Sequence, residues 1–150
     1  MLIVHRKKRS SPLGVLIMKL TKKSEYAFLA LIDLAENAGG ALARIDEIAA
    51  RKEIPRKYLE QILLQLKSAG FVKSIRGASG GYKLAKQPAE ITLAAIVRLI
   101  DGPLAPVDAV SKYFYGPSPI EKAPKLVRIF QEIRDEIAMK MERTTIADII

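Results

Sequence analysis

Apolar residues fill nearly every position from Tyr26 to Ala35, with Asp33 the single interruption. A run of that length without glycine or proline suits a largely buried helix better than a strand, and the spacing predicts one from about Lys22 to Asn37, ended by Gly39 and Gly40. A second, short helix is expected over about Asp46 to Glu53, with Ile45, Ile48 and Ala49 on one side. Ile54-Pro55 stops it, because a residue before proline is pushed out of the helical region. Pro55 suits the first position of a third helix, where its missing N–H costs nothing. There Leu59, Ile62, Leu63 and Leu66 recur at intervals of three and four, leaving Arg56, Lys57, Glu60 and Gln61 on the surface, and Gly70 closes the helix. Phe71 to Arg76 and Tyr82 to Ala85 are strand-like runs around Gly77, Ala78, Ser79, Gly80 and Gly81, a β-hairpin with a flexible tip.

A fourth helix is expected to open with Thr92 as its N-cap and to run through Ile100, stopping at Gly102 and Pro103. Asp101 to Pro124 carries five prolines and two glycines, which predicts an irregular connection. A long helix follows, about Ala123 to Arg143, in which Leu126, Phe130, Ile133, Ile137 and Met141 are spaced by 4, 3, 4 and 4. At 1.5 Å per residue it is about 30 Å long, and its stripe wants another helix, either a second copy or the chain's own core. Thr145 with Asp148 forms a small capping-box pattern before the apolar end. The expected fold class is mainly α with a small β-hairpin, a winged helix-turn-helix plus a long dimerisation helix. Its expected parts are a disordered basic extension over 1–17, the winged-helix domain over 18–100, an irregular connection over 101–122, and the dimerisation helix with a C-terminal segment over 123–150.

Charge sharpens this division. The net charge is +9, and residues up to Glu90 supply all of it, with 17 Lys plus Arg against 8 Asp plus Glu. The remaining residues hold 8 of each. A basic segment joined to a neutral one implies that the first meets a polyanion while the second does something else. No apolar run approaches the roughly 18 to 20 residues of a membrane-spanning helix. Near the start, Leu13 to Met18 is too short for the apolar part of a signal peptide, and Lys19, Lys22 and Lys23 follow where small residues should stand. A tail, or a true beginning at Met18, and a cytoplasmic location are therefore expected.

Three helices followed by a glycine-tipped hairpin is the order of a winged helix. The third helix would enter the major groove of duplex DNA, and the hairpin would reach a neighbouring backbone or minor groove. Arg56 and Lys57 can meet phosphates or guanine, and Gln61 can pair with adenine. Glu60 can accept from cytosine N4, or simply form an i,i+4 surface pair with Arg56; spacing favours neither. Gly77 to Gly81 lacks the Lys-Ser/Thr ending of a phosphate-cradling loop and precedes a strand, so the glycines suit a tight turn instead, and Arg76 beside them suits a narrow minor groove. With no cysteine, one histidine (His5) and no clustered carboxylates, neither a catalytic set nor a metal site is expected.

The motifs Leu20-Thr21-Lys22-Lys23-Ser24-Glu25-Tyr26-Ala27, Tyr58-Leu59-Glu60-Gln61-Ile62-Leu63 and Arg76-Gly77-Ala78-Ser79-Gly80-Gly81-Tyr82 resemble the Rrf2 family of bacterial transcription regulators, over Met18 to the carboxyl end. The resemblance implies a winged-helix dimer joined by the Ala123 to Arg143 helix, with the third helix as recognition helix. It places the family's base-reading Glu and Gln on Glu60 and Gln61, its helix Tyr on Tyr58 and its wing Arg on Arg76. Iron–sulfur members carry three cysteines between the fourth helix and the dimer helix; this chain has none, so no cluster or other cofactor is expected. Arg44 replaces the usual Ser or Thr at the start of the second helix, and Pro55 and Lys57 replace small polar residues.

The expected DNA-contacting set is Lys22, Lys23, Arg44, Arg56, Lys57, Tyr58, Glu60, Gln61, Arg76, Gly77, Ser79, Gly80, Gly81 and Tyr82. Leu126, Phe130, Ile133, Ile137 and Met141 form the expected dimer interface. The partners implied are double-stranded DNA, a second copy of the chain, and a small-molecule effector or regulatory protein, with a repressor reading a palindromic operator as the expected activity. The alternative is a winged-helix module that meets an acidic protein.

Overall fold

The computed structural model describes residues 19–39 and 42–150. The expected extension over 1–17, and Gly40 as a helix stop, lie outside the described residues. Thr21 starts the first helix: its backbone is extended, and its hydroxyl accepts from the Ser24 N–H at 3.2 Å. Helix α1 (Lys22–Glu36) buries Ala27, Ala30, Leu31 and Leu34 at helical spacing. Asp33 is buried too, and its carboxylate accepts from Arg51 Nε and Nη2, each at 2.8 Å. Because Arg51 lies on α2 (Ile45–Lys52), this ion pair ties the first helix to the second.

Glu53, in the left-handed region at φ 52° and ψ 42°, turns the chain out of α2, and buried Ile54 follows. Pro55 precedes α3 (Arg56–Ser68) instead of beginning it. At φ −57° and ψ 125° it is extended, and its carbonyl accepts from the N–H groups of Tyr58 and Leu59 at 3.0 and 3.1 Å. The ring fixes φ but leaves ψ free, so proline fits the cap position as readily as the first turn. Leu59, Ile62, Leu63 and Leu66 are fully buried, and α3 ends just before Gly70.

Strands β1 (Val72–Ile75) and β2 (Gly81–Leu84) pair antiparallel, with Val72 opposite Leu84 and Ser74 opposite Tyr82. The expected strands were longer, and one further bond, Ala85 N–H to the Phe71 carbonyl at 2.9 Å, extends the hairpin at its base. Ala43, just before α2, exchanges two backbone hydrogen bonds with Tyr82, at 3.0 and 2.7 Å. This bridge fastens the start of α2 to the wing, and nothing in the local sequence announced it.

Thr92 caps α4 (Leu93–Ile100), accepting from the Ala95 N–H at 3.1 Å. The connection after it contains two 3₁₀ turns, Asp108–Val110 and Pro119–Lys122, before α5 (Pro124–Arg143). Beyond α5 the chain returns to the head. The Leu93 N–H donates to the Thr144 carbonyl, the Ile146 N–H donates to the Ile91 carbonyl, both at 2.9 Å, and the Ile146 side chain is fully buried in the core with Leu31, Ile91 and Ile96. Asp148 holds this turn, accepting from the Thr145 N–H at 2.7 Å and hydroxyl at 2.9 Å.

Candidate nucleic-acid interface

The buried stripe of α3 fixes which of its residues reach solvent. At about 100° per residue, Arg56, Glu60 and Lys67 fall within roughly 40° of one another on the flank beside the wing, while Lys57 and Gln61 lie farther round. All five are exposed. Tyr58 leans the other way, its ring centroid 6.3 Å from that of Tyr26 on α1. Leu64 stands between the two groups and is 65% exposed. Leu63 and Leu64 are adjacent, and a stripe at helical spacing holds only one of them, so Leu64 is the apolar residue that the buried side of α3 leaves out.

Arg56 is shared between two carboxylates, with Nη1 3.0 Å from Asp46 on α2 and Nε 3.2 Å from Glu60. The i,i+4 pair weighed above is therefore present, with a second acid added to it. Both pairs are open to solvent, where each contributes only a few tenths of a kcal/mol and is screened by salt. A phosphate can displace either.

Between the start of α2, the flank of α3 and the wing lies a concavity of about 460 Å³. Its lining brings together Arg44, Arg56, Arg76, Gly77, Gly80, Gly81 and Tyr82 from the expected set, and adds Asp46 and Lys67. The start of α2 faces this space. Arg44 occupies its N-cap without capping it, while the Glu47 carboxylate accepts the Arg44 N–H at 2.8 Å and leaves the guanidinium exposed. Two wing glycines are required by close approach: a Cβ on Gly81 would lie 2.6 Å from the Ala43 carbonyl oxygen, and one on Gly80 would collide with the backbone at Ile75. Tyr82 is half-buried and packs against the core, so it contributes to the floor more than to the rim. Ser79 lines a different concavity, of about 560 Å³, beside Asn37 and Leu42. Lys22 and Lys23 begin α1, away from these walls. The Glu25 carboxylate, 2.7 Å from the Lys22 ammonium, raises the pKa of that lysine and keeps it charged.

No residue of α5 is fully buried in the single chain. Phe130, Ile133, Ile137 and Met141 are half-covered, whereas Leu126 at the start of the same stripe and Ile129 on its flank are exposed. Two arginines fasten the helix to its own chain: Arg134 donates to the Val110 carbonyl at 2.7 Å, and Arg98 of α4 donates to Glu142 at 2.7 Å. No helix among the described residues is long and apolar enough to cross a membrane.

Residues 20–150 match the Rrf2 family, described as iron-dependent transcriptional regulators. An rrf2-like HTH-type transcriptional regulator of Rhodobacter capsulatus is 38% identical over 137 residues, covering 87% of this chain and 91% of that protein. The solved structure of CymR, the global cysteine regulator of B. subtilis, aligns with a TM-score of 0.70 at 33% identity, over 89% of this chain and 96% of that one. T. potens IscR aligns with a TM-score of 0.68 at 30% identity, over 88% and 85%.

The iron in that description meets an unsuitable donor set. Iron–sulfur clusters are held chiefly by thiolates, and this chain has no cysteine. Of the carboxylates in the connection, Asp101 accepts from Thr21, and Glu121 accepts from the Tyr115 hydroxyl at 2.6 Å. Among the described residues no three His, Cys, Asp or Glu side chains gather closely enough to hold a metal ion. The residues present do not fit a cluster.

Proposed function

Because the chain belongs to the Rrf2 family of winged-helix, DNA-binding transcriptional regulators, we propose that it acts as a cytoplasmic repressor, a homodimer on a palindromic operator, without an iron–sulfur cluster. The observation that carries this reading is the concavity where Arg44, Arg56 and Arg76 converge from α2, α3 and the wing. Three guanidiniums from three elements supply the donors that a phosphate backbone beside a helix in the major groove needs. Phosphate contacts supply salt-sensitive affinity, and Glu60 and Gln61 select bases as acceptor from cytosine and partner of adenine. In this reading residues 18–100 make up the DNA-binding head, 101–122 the connection, and 123–150 the dimerisation helix with a C-terminal segment whose Ile146 packs back into the head. The helix's exposed Leu126 and Ile129 continue the apolar stripe of Phe130, Ile133, Ile137 and Met141 toward a second copy. Two recognition helices would then sit about one helical turn, roughly 34 Å, apart. A small-molecule effector or a regulatory protein supplies the switch.

The test selects binding sites from a randomised duplex library with the purified full chain. A two-fold symmetric consensus bound by a dimer is expected, and transcription from a promoter carrying it should fall when the protein is added. Glu60→Ala should broaden the consensus while leaving affinity for mixed-sequence DNA intact. A protein that enriches no sequence, or sediments as a monomer on its site, would refute the reading.

A further inference from the structure

From Gln61 to Ala89 the chain contains no Asp or Glu, yet it carries Lys67, Lys73, Arg76, Lys83 and Lys86. The fold gathers four of these. Lys73 and Lys83 stand directly opposite each other in the hairpin. Strand alternation turns both outward, since Val72 and Leu84 beside them pack inward against the core. Lys67, from the last turn of α3, and Lys86, just past β2, line with them an open concavity of about 590 Å³ along the outer face of the wing. The Lys86 ammonium lies 4.7 Å from the centroid of the Phe71 ring, which orients it. Among the described residues none of the four lysines takes part in an ion pair.

Like charges directly opposite on a hairpin destabilise it, and the free protein offers this pair no counter-charge. Lysines on an edge strand also discourage pairing with other chains, but that role requires neither the alignment of two of them nor Lys67 and Lys86 from outside the strands. Lys67 also lines the arginine-rich concavity beside α2, so the two concavities meet at a shared lysine at the base of the wing. We propose that the outer face of the wing is a second phosphate-binding surface, one that grips the backbone of the duplex flanking the base-reading site. This rests on the DNA-binding reading above and extends its footprint. Ammonium groups on flexible stems act as point charges toward phosphates and carry no base selectivity. The surface therefore adds affinity and salt dependence without changing the sequence preferred.

The test uses the full chain with Lys73→Gln, Lys83→Gln and Lys86→Gln combined. Fluorescence anisotropy follows binding to the duplex sequence that the unaltered protein selects, flanked by about half a helical turn or by about one and a half turns. The unaltered protein should bind the long duplex more tightly, and the variant should lose that advantage. At about 0.9 per phosphate contact, the slope of log K against log salt should shrink by roughly 2.7 for each bound protomer. Doubling the salt should then weaken the variant about sixfold less per protomer, which is about fortyfold less for the dimer on its site. Preference for the selected sequence over a scrambled one should stay the same. Lys83→Glu, which turns the like-charge pair into an opposite one, should raise Tm while weakening binding to the long duplex. An unchanged salt slope and unchanged flank dependence, with sequence preference intact, overturn this proposal alone. Failure of the unaltered protein to select any sequence overturns the DNA-binding reading beneath it.

Discussion

Replacing Arg51 with alanine should destabilise the head far more than loss of a surface charge would. The Asp33 side chain is 1% exposed and that of Arg51 is 41%, with two donor–acceptor distances of 2.8 Å. Removing one partner of a buried pair strands the other charge and costs about 3–5 kcal/mol. Here Arg51 is partly hydrated, so the interaction is already weakened by solvent and about 2–3 kcal/mol is the appropriate estimate. For a chain of this size each kcal/mol moves Tm by roughly 2–4 °C, so calorimetry on Arg51→Ala should show a fall of about 5–10 °C. The paired replacement Asp33→Leu with Arg51→Met removes both charges and should recover most of the loss, since an apolar pair of similar volume often does as well as a buried ion pair. DNA affinity measured below the transition should be nearly restored in the same double variant, because its α1–α2 contact is again packed. A drop of under about 0.5 kcal/mol for Arg51→Ala would place the pair among ordinary surface bridges and refute the argument.

Ser24 is fully buried, and its hydroxyl has no partner among the described residues. Ser24→Ala should raise stability by about 1 kcal/mol, through removal of an unsatisfied polar group and better helix propensity, and chemical denaturation showing a loss of that size would contradict it. Gly81→Ala sets a Cβ against the Ala43 carbonyl, so it should loosen the bridge between α2 and the wing. Hydrogen exchange at the Tyr82 and Ala43 amides should quicken and DNA affinity should fall; unchanged protection would show that the backbone yields at no cost. Acid should loosen the C-terminal segment. The Arg98 guanidinium holds the Glu142 carboxyl below its ordinary range, and the Thr145 N–H and hydroxyl do the same for Asp148. Because both pKa values are lower in the folded state, their contribution is present above the ordinary carboxylate range and disappears as pH falls through the lowered values. Tm should therefore decline below about pH 4, less steeply in Glu142→Gln with Asp148→Asn, and parallel profiles would contradict the assignment.

The features readable along the chain were those in which neighbours four or fewer positions apart set the geometry. Leu59, Ile62, Leu63 and Leu66 marked the buried side of α3, Thr92 and Thr145 marked their caps, and the glycines from Gly77 to Gly81 marked the wing tip. Arg56 beside Glu60 was legible in the same way, because one helical turn brings those two together. Spacing could not supply Asp46 as the second acid on Arg56, the Ala43 bridge to Tyr82, or the Ile146 plug in the core. Each joins elements whose approach depends on how the whole apolar surface packs, and no local periodicity records that. Asp33 illustrates the difference: along the chain it interrupts an apolar helix, and in the folded head it holds α1 to α2. The lysines of the wing follow the same logic. Their charges are visible in order, but strand register is what sets Lys73 against Lys83 on one face, and a shift of one residue would have turned them apart.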